Sequence, residues 1–494
     1  MTTYTKKAVK GASITLLMSV LAALIAYVTR IVLARNLGPA DYGLFSSVLT
    51  FILFFLFFRD LGLSSSLVKY IVEFRIHGRY DKIKTAITGV LSFQFASSLL
   101  FGLVFLALSG FLAQNYFKDP RAQTLIILLT VYVLFSIFFI VLKGIFNGFQ
   151  RMFLFSSIEF AKNAIILLIV FVFFKLGFDI YAPVLAYVLV CPLLFLIYIF
   201  SAAKTSQFFS STITDFRPIT KQVVLFGIPL FATAFAGKII GYIDTLMLTY
   251  FRPLSEVGVY NVVLPSALVL LFFGRSISSI VFPISSELWE KKDYKKLVAG
   301  VHLLHKYAFV LFIPVIFTVF SFPEFFLELF FGAEYVSGAV SLQILLVGML
   351  IFIVAMMNNT IISAIGKPKI IAKITILAAV TNIVLNLILI PNLGINGAAM
   401  ATAVSYALVL VLTTAQIKKY LPVKLPFLEW SKQAFTALLF IGIIYLLKGT
   451  FQNPWLDLVV SASCAGAVYI LLLFVLKIID LKEVNYYRRL LRRS

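Results

Sequence analysis

Apolar stretches long enough to cross about 30 Å of hydrocarbon, roughly 20 residues each, recur from one end of this chain to the other. Their approximate limits are 11–33, 41–58, 84–110, 122–143, 153–174, 179–201, 223–250, 255–285, 301–322, 338–360, 370–390, 395–416, 431–448 and 455–477, which predicts about fourteen spans. In lipid each span has to satisfy its own backbone hydrogen bonds, so each is expected to be a helix. The expected fold class is therefore an all-α polytopic membrane protein. Polar residues gather between the spans, and the segment KTSQFFSSTITDFRPITK at 204–221 is long and rich in Ser and Thr, the composition of a linker.

The pattern repeats. RIVLARNLGPADYGLFSS (30–47) and the apolar run to Arg59 match DTLMLTYFRPLSEVGVYNVV (244–263) and the run to Arg275. Gly43 pairs with Gly258 at an offset of 215, Arg59 with Arg275 at 216, Gly148 with Gly366 at 218 and Gly177 with Gly394 at 217. Offsets that drift so little imply two homologous six-helix halves, 1–203 and 222–421, joined by the linker 204–221. A two-helix hairpin and a basic tail follow at 422–494. Two parallel repeats of six spans are a transporter plan, with the substrate path between the halves. The charged segment 286–300 is expected to be a cytoplasmic surface helix or a solvated linker.

Composition agrees: 62% of the 494 residues are hydrophobic and 13% charged. The net charge of +22 changes the picture only through its position. Of the 42 lysines and arginines, 32 fall in alternate loops, which places both termini in the cytosol by the positive-inside rule. The basic surplus then reads as topology and attraction to anionic lipids, and nucleic acid is not an expected partner. Cys191 and Cys464 lie within predicted spans and read as ordinary thiols.

Three stretches carry a family resemblance: RIVLARNLGPADYGLFS, the GKPK turn, and NIVLNLILIPNLGINGAAMATAVS across the eleventh and twelfth spans. With two six-span halves plus two spans, they resemble the polysaccharide-transporter branch of the multidrug/oligosaccharidyl-lipid/polysaccharide exporter superfamily, the Wzx-type flippases. MurJ-type flippases of peptidoglycan precursor and MATE drug exporters share the implied fold. The resemblance implies a flippase that moves a polyprenyl-pyrophosphate-linked glycan from the cytoplasmic to the outer leaflet of the plasma membrane. It would act as a monomer beside glycan-assembly enzymes, with no cofactor, catalytic residue or metal site. A MATE-like small-molecule exporter and a MurJ-like precursor flippase stay open as alternatives, and a membrane glycosyltransferase or polymerase lacks the acidic outer loop it would need.

Ionisable residues at membrane depth mark pathways by default. Here they are Arg30, Arg59, Glu159, Lys162, Lys238, Asp244 and Arg275. Arg59 and Arg275 hold equivalent repeat positions, so they read either as a guanidinium clamp for a diphosphate or as anchors snorkelling to the inner interface. MurJ-type flippases are similar in carrying cavity arginines on the first, second and eighth helices, the distribution of Arg30, Arg59 and Arg275. Lys238 extends the candidate substrate-binding set. Glu159 and Lys162, three apart on one helix face, read as a structural pair. Asp244, Asn382, Asn386 and Thr402 share a predicted depth and form a candidate Na⁺ or H⁺ coupling site, similar to one in MurJ-like relatives but with Asn386 where an acid-rich version would have a carboxylate. Interhelical hydrogen bonding is the other reading of the asparagines.

Overall fold

The structure, a computed structural model, describes residues 3–205 and 210–479; residues 206–209 of the linker and the basic tail from 480 lie outside the described residues. All regular structure among the described residues is helical, and eleven helices are long and apolar enough to cross a membrane. The chain packs as two compact units, Met1–Gly258 and Val259–Ser494.

The N-terminal unit begins with α1 (Thr3–Asp60), which runs through both of the first two predicted spans. No loop separates them. The break is one residue, Gly38 at φ 70° and ψ 172°, followed by Pro39, which has no N–H to donate. Gly62, also at positive φ, turns the chain into α2 (Leu63–Ile76), a helix absent from the predicted spans. Its Leu63, Leu67, Tyr70, Ile71 and Phe74 recur every three or four residues and are buried against α3 (Tyr80–Asn115), α4 (Arg121–Gly148) and the start of α7 (Phe216–Phe251). Between them, α5 (Met152–Lys175) lies along α1 and α6 (Tyr181–Thr205) against α4 and α5. The linker is held to the start of α3: Thr214 N–H donates to Thr85 Oγ1 at 2.9 Å, the Thr214 hydroxyl donates to Asp81 Oδ2 at 2.9 Å, and Lys84 Nζ donates to the Ser211 carbonyl at 2.7 Å.

The repeat-matched glycines Gly43 and Gly258 meet backbone to backbone where α1 crosses α8 (Leu254–Leu268). A Cβ at Gly43 would lie 1.8 Å from the Leu254 carbonyl oxygen, and one at Gly258 2.0 Å from that of Pro39. Only residues without a side chain permit this approach.

In the C-terminal unit the eighth predicted span is two helices, α8 and α9 (Leu271–Glu290), broken at Val269 and Leu270. In place of a separate surface helix at 286–300, α9 runs to Glu290, residues 291–293 turn, and α10 (Tyr294–Ser321) starts with Asp293 capping the Lys296 N–H. The predicted outer loop 323–337 contains α11 (Pro323–Phe331) and a 3₁₀ turn, Ala333–Gly338. Then come α12 (Ala339–Ala364) and α13 (Pro368–Tyr420), which joins the eleventh and twelfth spans across Gly394 at φ 55°. The hairpin of α14 (Phe427–Leu447) and α15 (Pro454–Val475) packs onto α10 through Ile313, Phe440, Ile444 and Tyr469. Trp430 Nε1 and Gln433 Nε2 add hydrogen bonds to the carbonyls of His305 and Lys306, at 2.9 and 2.6 Å.

Candidate substrate path

Arg59 closes the C-terminal end of α1. The sequence leaves its guanidinium either facing a cavity as a clamp or snorkelling to the inner interface; the structure buries it to 1% exposure inside the N-terminal unit. Nη1 donates to the Val133 carbonyl at 2.7 Å, Ser136 Oγ at 2.8 Å and Ser98 Oγ at 3.3 Å, all on α3 and α4. Neutral oxygens replace a carboxylate, and Nε is buried with no hydrogen-bond partner among the described residues. Asp60, next in the chain, is committed elsewhere, its Oδ1 accepting from Ser64 and Gln94. The physical reason for the difference is that two serines, 39 and 77 residues away, offer the fork a better lining than lipid.

Arg30 is half-buried and donates from Nε to the Tyr42 hydroxyl at 3.2 Å. Lys238, on α7, is exposed, with its ammonium 5.5 Å from the Tyr242 ring centre. Asp244, farther along α7, is 2% exposed beside buried Thr245 and Thr249, and Thr249 donates to Ser47 Oγ at 2.9 Å. Arg275 belongs to the other unit, on α9, where it is exposed and its guanidinium lies 6.0 Å from the Phe272 ring centre.

The structure brings Asn382, Asn386 and Thr402 together inside the C-terminal unit, all 1% exposed or less. Asn386 Nδ2 donates to Asn382 Oδ1 at 3.1 Å, and Asn382 Nδ2 to Thr402 Oγ1 at 3.4 Å. Asp244, the fourth residue of the candidate set, belongs to the N-terminal unit.

One site residue escaped the sequence. Lys143 is the last residue of the predicted span 122–143 and counts there as a cytoplasmic-side charge, but α4 continues five residues past it to Gly148. There its Nζ lies 2.9 Å from Glu159 Oε2, while Lys162 pairs with Oε1 of the same carboxylate. The readable signal is that apolar Ile145 and Phe146 follow Lys143 before Asn147 and Gly148. Cys191 is buried nearby on α6 and unpaired. No group of three or more His, Cys, Asp or Glu side chains able to hold a metal ion occurs among the described residues.

With this geometry in place, comparison with known proteins gives a consistent family. Residues 8–289, more than half of the chain, match the family model described as "Polysaccharide biosynthesis protein", and residues 229–388 match "MatE". The chain is 29% identical to "Uncharacterized membrane protein MJ1068" of Methanocaldococcus jannaschii over 98% of both chains. It is 24% identical to "Probable low-salt glycan biosynthesis flippase Agl15" of Haloferax volcanii, over 44% of this chain and 46% of that protein. It superposes on "Lipid II flippase MurJ, inward closed conformation" with a TM-score of 0.75 and 17% identity, covering 96% of this chain and 99% of that one, a likeness of fold. This multi-pass membrane chain therefore belongs to the polysaccharide biosynthesis protein family, within the multidrug/oligosaccharidyl-lipid/polysaccharide exporter superfamily, and is a transporter and not an enzyme.

Proposed function

We propose that this chain is a flippase carrying a polyprenyl-(pyro)phosphate-linked oligosaccharide from the cytoplasmic to the outer leaflet by alternating access, for the assembly of a surface polysaccharide or glycan. The observation that carries the reading is the sign of the charge at membrane depth: Arg30, Lys238 and Arg275 keep side-chain surface open, and two lysines share one glutamate in the N-terminal unit. Cations at that depth are costly unless they meet an anion, and a diphosphate is one that guanidinium and ammonium groups bind well. The names of Agl15 and MurJ, a glycan biosynthesis flippase and a lipid II flippase, support the same substrate class. Arg59 is sealed among serines and is assigned to positioning α1 against α3 and α4, which leaves direct contact to Arg30, Lys238 and Arg275.

In this reading the membrane is crossed fourteen times, α1 and α13 each counting twice and α8 with α9 once. The halves 1–203 and 222–421 are related by a pseudo-twofold axis, and both termini lie in the cytosol at the plasma membrane. The amide and hydroxyl cluster of Asn382, Asn386 and Thr402 would hold Na⁺ as the coupling ion. The match to MatE supports a small-molecule exporter as the competing reading. An exporter of organic cations would be expected to line its path with acids, the opposite sign. The test is a fluorescent pyrophosphate-linked glycolipid in proteoliposomes, with outer-leaflet accessibility followed over time. Acceleration over protein-free vesicles is expected, with Arg275→Ala and Lys238→Ala each slowing it at least fivefold; transport of organic cations without glycolipid movement would overturn the reading.

A further inference from the structure

Lys143, Glu159 and Lys162 form a charge cluster that the arginine-based path does not use. The Glu159 carboxylate divides its two oxygens between ammonium groups from two helices, Lys143 of α4 and Lys162 of its own α5. The set carries one negative charge against two positive. Its side chains stay open, at 30%, 35% and 21% exposure for Lys143, Glu159 and Lys162, so an incoming group has access. Phe139 lies near both ammoniums, with ring-centre distances of 5.3 Å to Lys143 and 5.1 Å to Lys162, which holds them in place through the ring face.

Position matters as much as charge. Glu159 is seven residues into α5 and Lys143 five residues from the end of α4, so the cluster sits about 7–10 Å inside the helix ends that face the cytosol in the proposed topology. That is inner-leaflet depth, where a lipid phosphate begins its crossing. In the same unit, Arg59 keeps a buried Nε without a partner among the described residues. A net positive charge held at this depth calls for an anion.

We propose that Lys143, Glu159 and Lys162 are an anion latch in which the Glu159 carboxylate stands in for the diphosphate of the lipid carrier and is displaced by it. The proposal rests on the flippase reading and names the first phosphate subsite of that path. A diphosphate brings at least two negative charges and several acceptor oxygens to two ammonium groups that now share one carboxylate. Glu159 keeps the lysines neutralised and spaced before the carrier arrives. When the diphosphate moves on, the carboxylate competes for the same ammoniums and speeds its release. The latch thus sets both affinity and turnover, in opposite senses.

The test uses full-length detergent-purified protein, with inorganic pyrophosphate and geranylgeranyl diphosphate as probes and geranylgeraniol as the uncharged control. Binding is read by calorimetry, and folding by gel filtration and melting temperature. Lys143→Ala and Lys162→Ala should each weaken diphosphate binding at least tenfold, with Lys143→Arg and Lys162→Arg recovering most of it. Glu159→Gln should tighten binding threefold or more while slowing glycolipid flipping, a pairing that a merely structural ion pair would not produce. Binding of both probes that depends on the lysines but shows no preference for the prenylated one would leave the latch standing and remove the lipid-carrier reading. Prenyl diphosphate binding that is unchanged in folded lysine variants, or weakened by Glu159→Gln, would overturn the latch and leave the flippase reading intact. A wild-type protein that binds neither probe overturns the latch outright.

Discussion

The N-terminal unit gathers an ion cluster of Lys143, Glu159 and Lys162 beside buried Arg59 and Asp244, whereas the C-terminal unit, which carries Arg275 and buries His305, Lys306 and Asp457, gathers a neutral network of Asn358, Asn382, Asn386, Thr402 and Thr413. At the offset of 218 between Gly148 and Gly366, Lys143, Glu159 and Lys162 fall opposite Ile361, Leu377 and Val380, all apolar. The difference in cost is large: an intramembrane charge is expensive and persists where it has a task, whereas interhelical amide and hydroxyl bonds average about 0.6 kcal/mol and specify packing. The charged unit is the one suited to handling an anion. The amide network is suited to holding helices together, as His305, Asn358 and Thr414 do across α10, α12 and α13, at 2.6 and 2.9 Å.

The sharpest way to break that comparison is Arg59. Arg59→Ala opens a cavity among α1, α3 and α4 and should cost about 3 kcal/mol or more. Arg59→Met refills most of the volume without a charge and should stay within about 1 kcal/mol of the wild type, since a buried charge adds little net stability over an apolar substitute. Thermal melts in detergent measure both. Because Arg59 is placed here as a positioning residue, Arg59→Met should retain at least a third of the flipping rate. A folded Arg59→Met protein with no flipping would return Arg59 to the substrate path and show that its buried state is one of two.

The neutral interior should respond less. Asn358→Ala leaves His305 Nε2 and the Thr414 hydroxyl without their partner and should destabilise by about 1–2 kcal/mol, near the upper end for polar contacts in membranes. Thr402→Val removes the 3.4 Å contact with Asn382 and should cost about 0.6 kcal/mol. If Na⁺ binds this cluster, sodium in place of choline should raise the melting temperature and Asn382→Ala should abolish the rise. A melting temperature indifferent to sodium would confine Asn382, Asn386 and Thr402 to packing.

These contrasts were only partly legible in the sequence. The long apolar runs were, because helices that cross a membrane leave that pattern along the chain. The Gly43 and Gly258 pair, found as a repeat landmark, is a point where two helices touch. Helix α2 was hidden because Lys69, Glu73 and Arg75 make the segment read as a charged loop, although its buried face repeats every three or four residues. The face of Arg59 was not legible, since the serines that receive it lie on other helices and one-dimensional pattern does not tell cavity from bundle interior. Lys143 was missed for a similar reason: its role depends on where α4 ends and on what α5 presents to it.

The smallest expected effect lies outside the membrane and marks where charge ceases to matter. At the start of α3, Asp81 accepts from Arg79 Nη2 at 3.0 Å and from the Thr214 hydroxyl at 2.9 Å. The Arg79 guanidinium, helped by Thr214, holds the Asp81 carboxyl at about 2, below its ordinary 3.8. A carboxyl with a lower pKa in the folded state contributes stability that is fully present above about 4 and is lost as pH falls from there towards about 2. Both side chains keep substantial contact with water, 49% for Arg79 and 24% for Asp81, so solvent screens most of the interaction. Asp81→Asn should therefore lower the melting temperature by no more than a degree or two at pH 7, and the gap to wild type should close between pH 4 and pH 2. Thr214→Val should give part of the same loss, because it removes the second donor and loosens the linker from α3. A gap that stays constant down to pH 2 would mean that the contact works through linker packing alone, without the carboxylate charge.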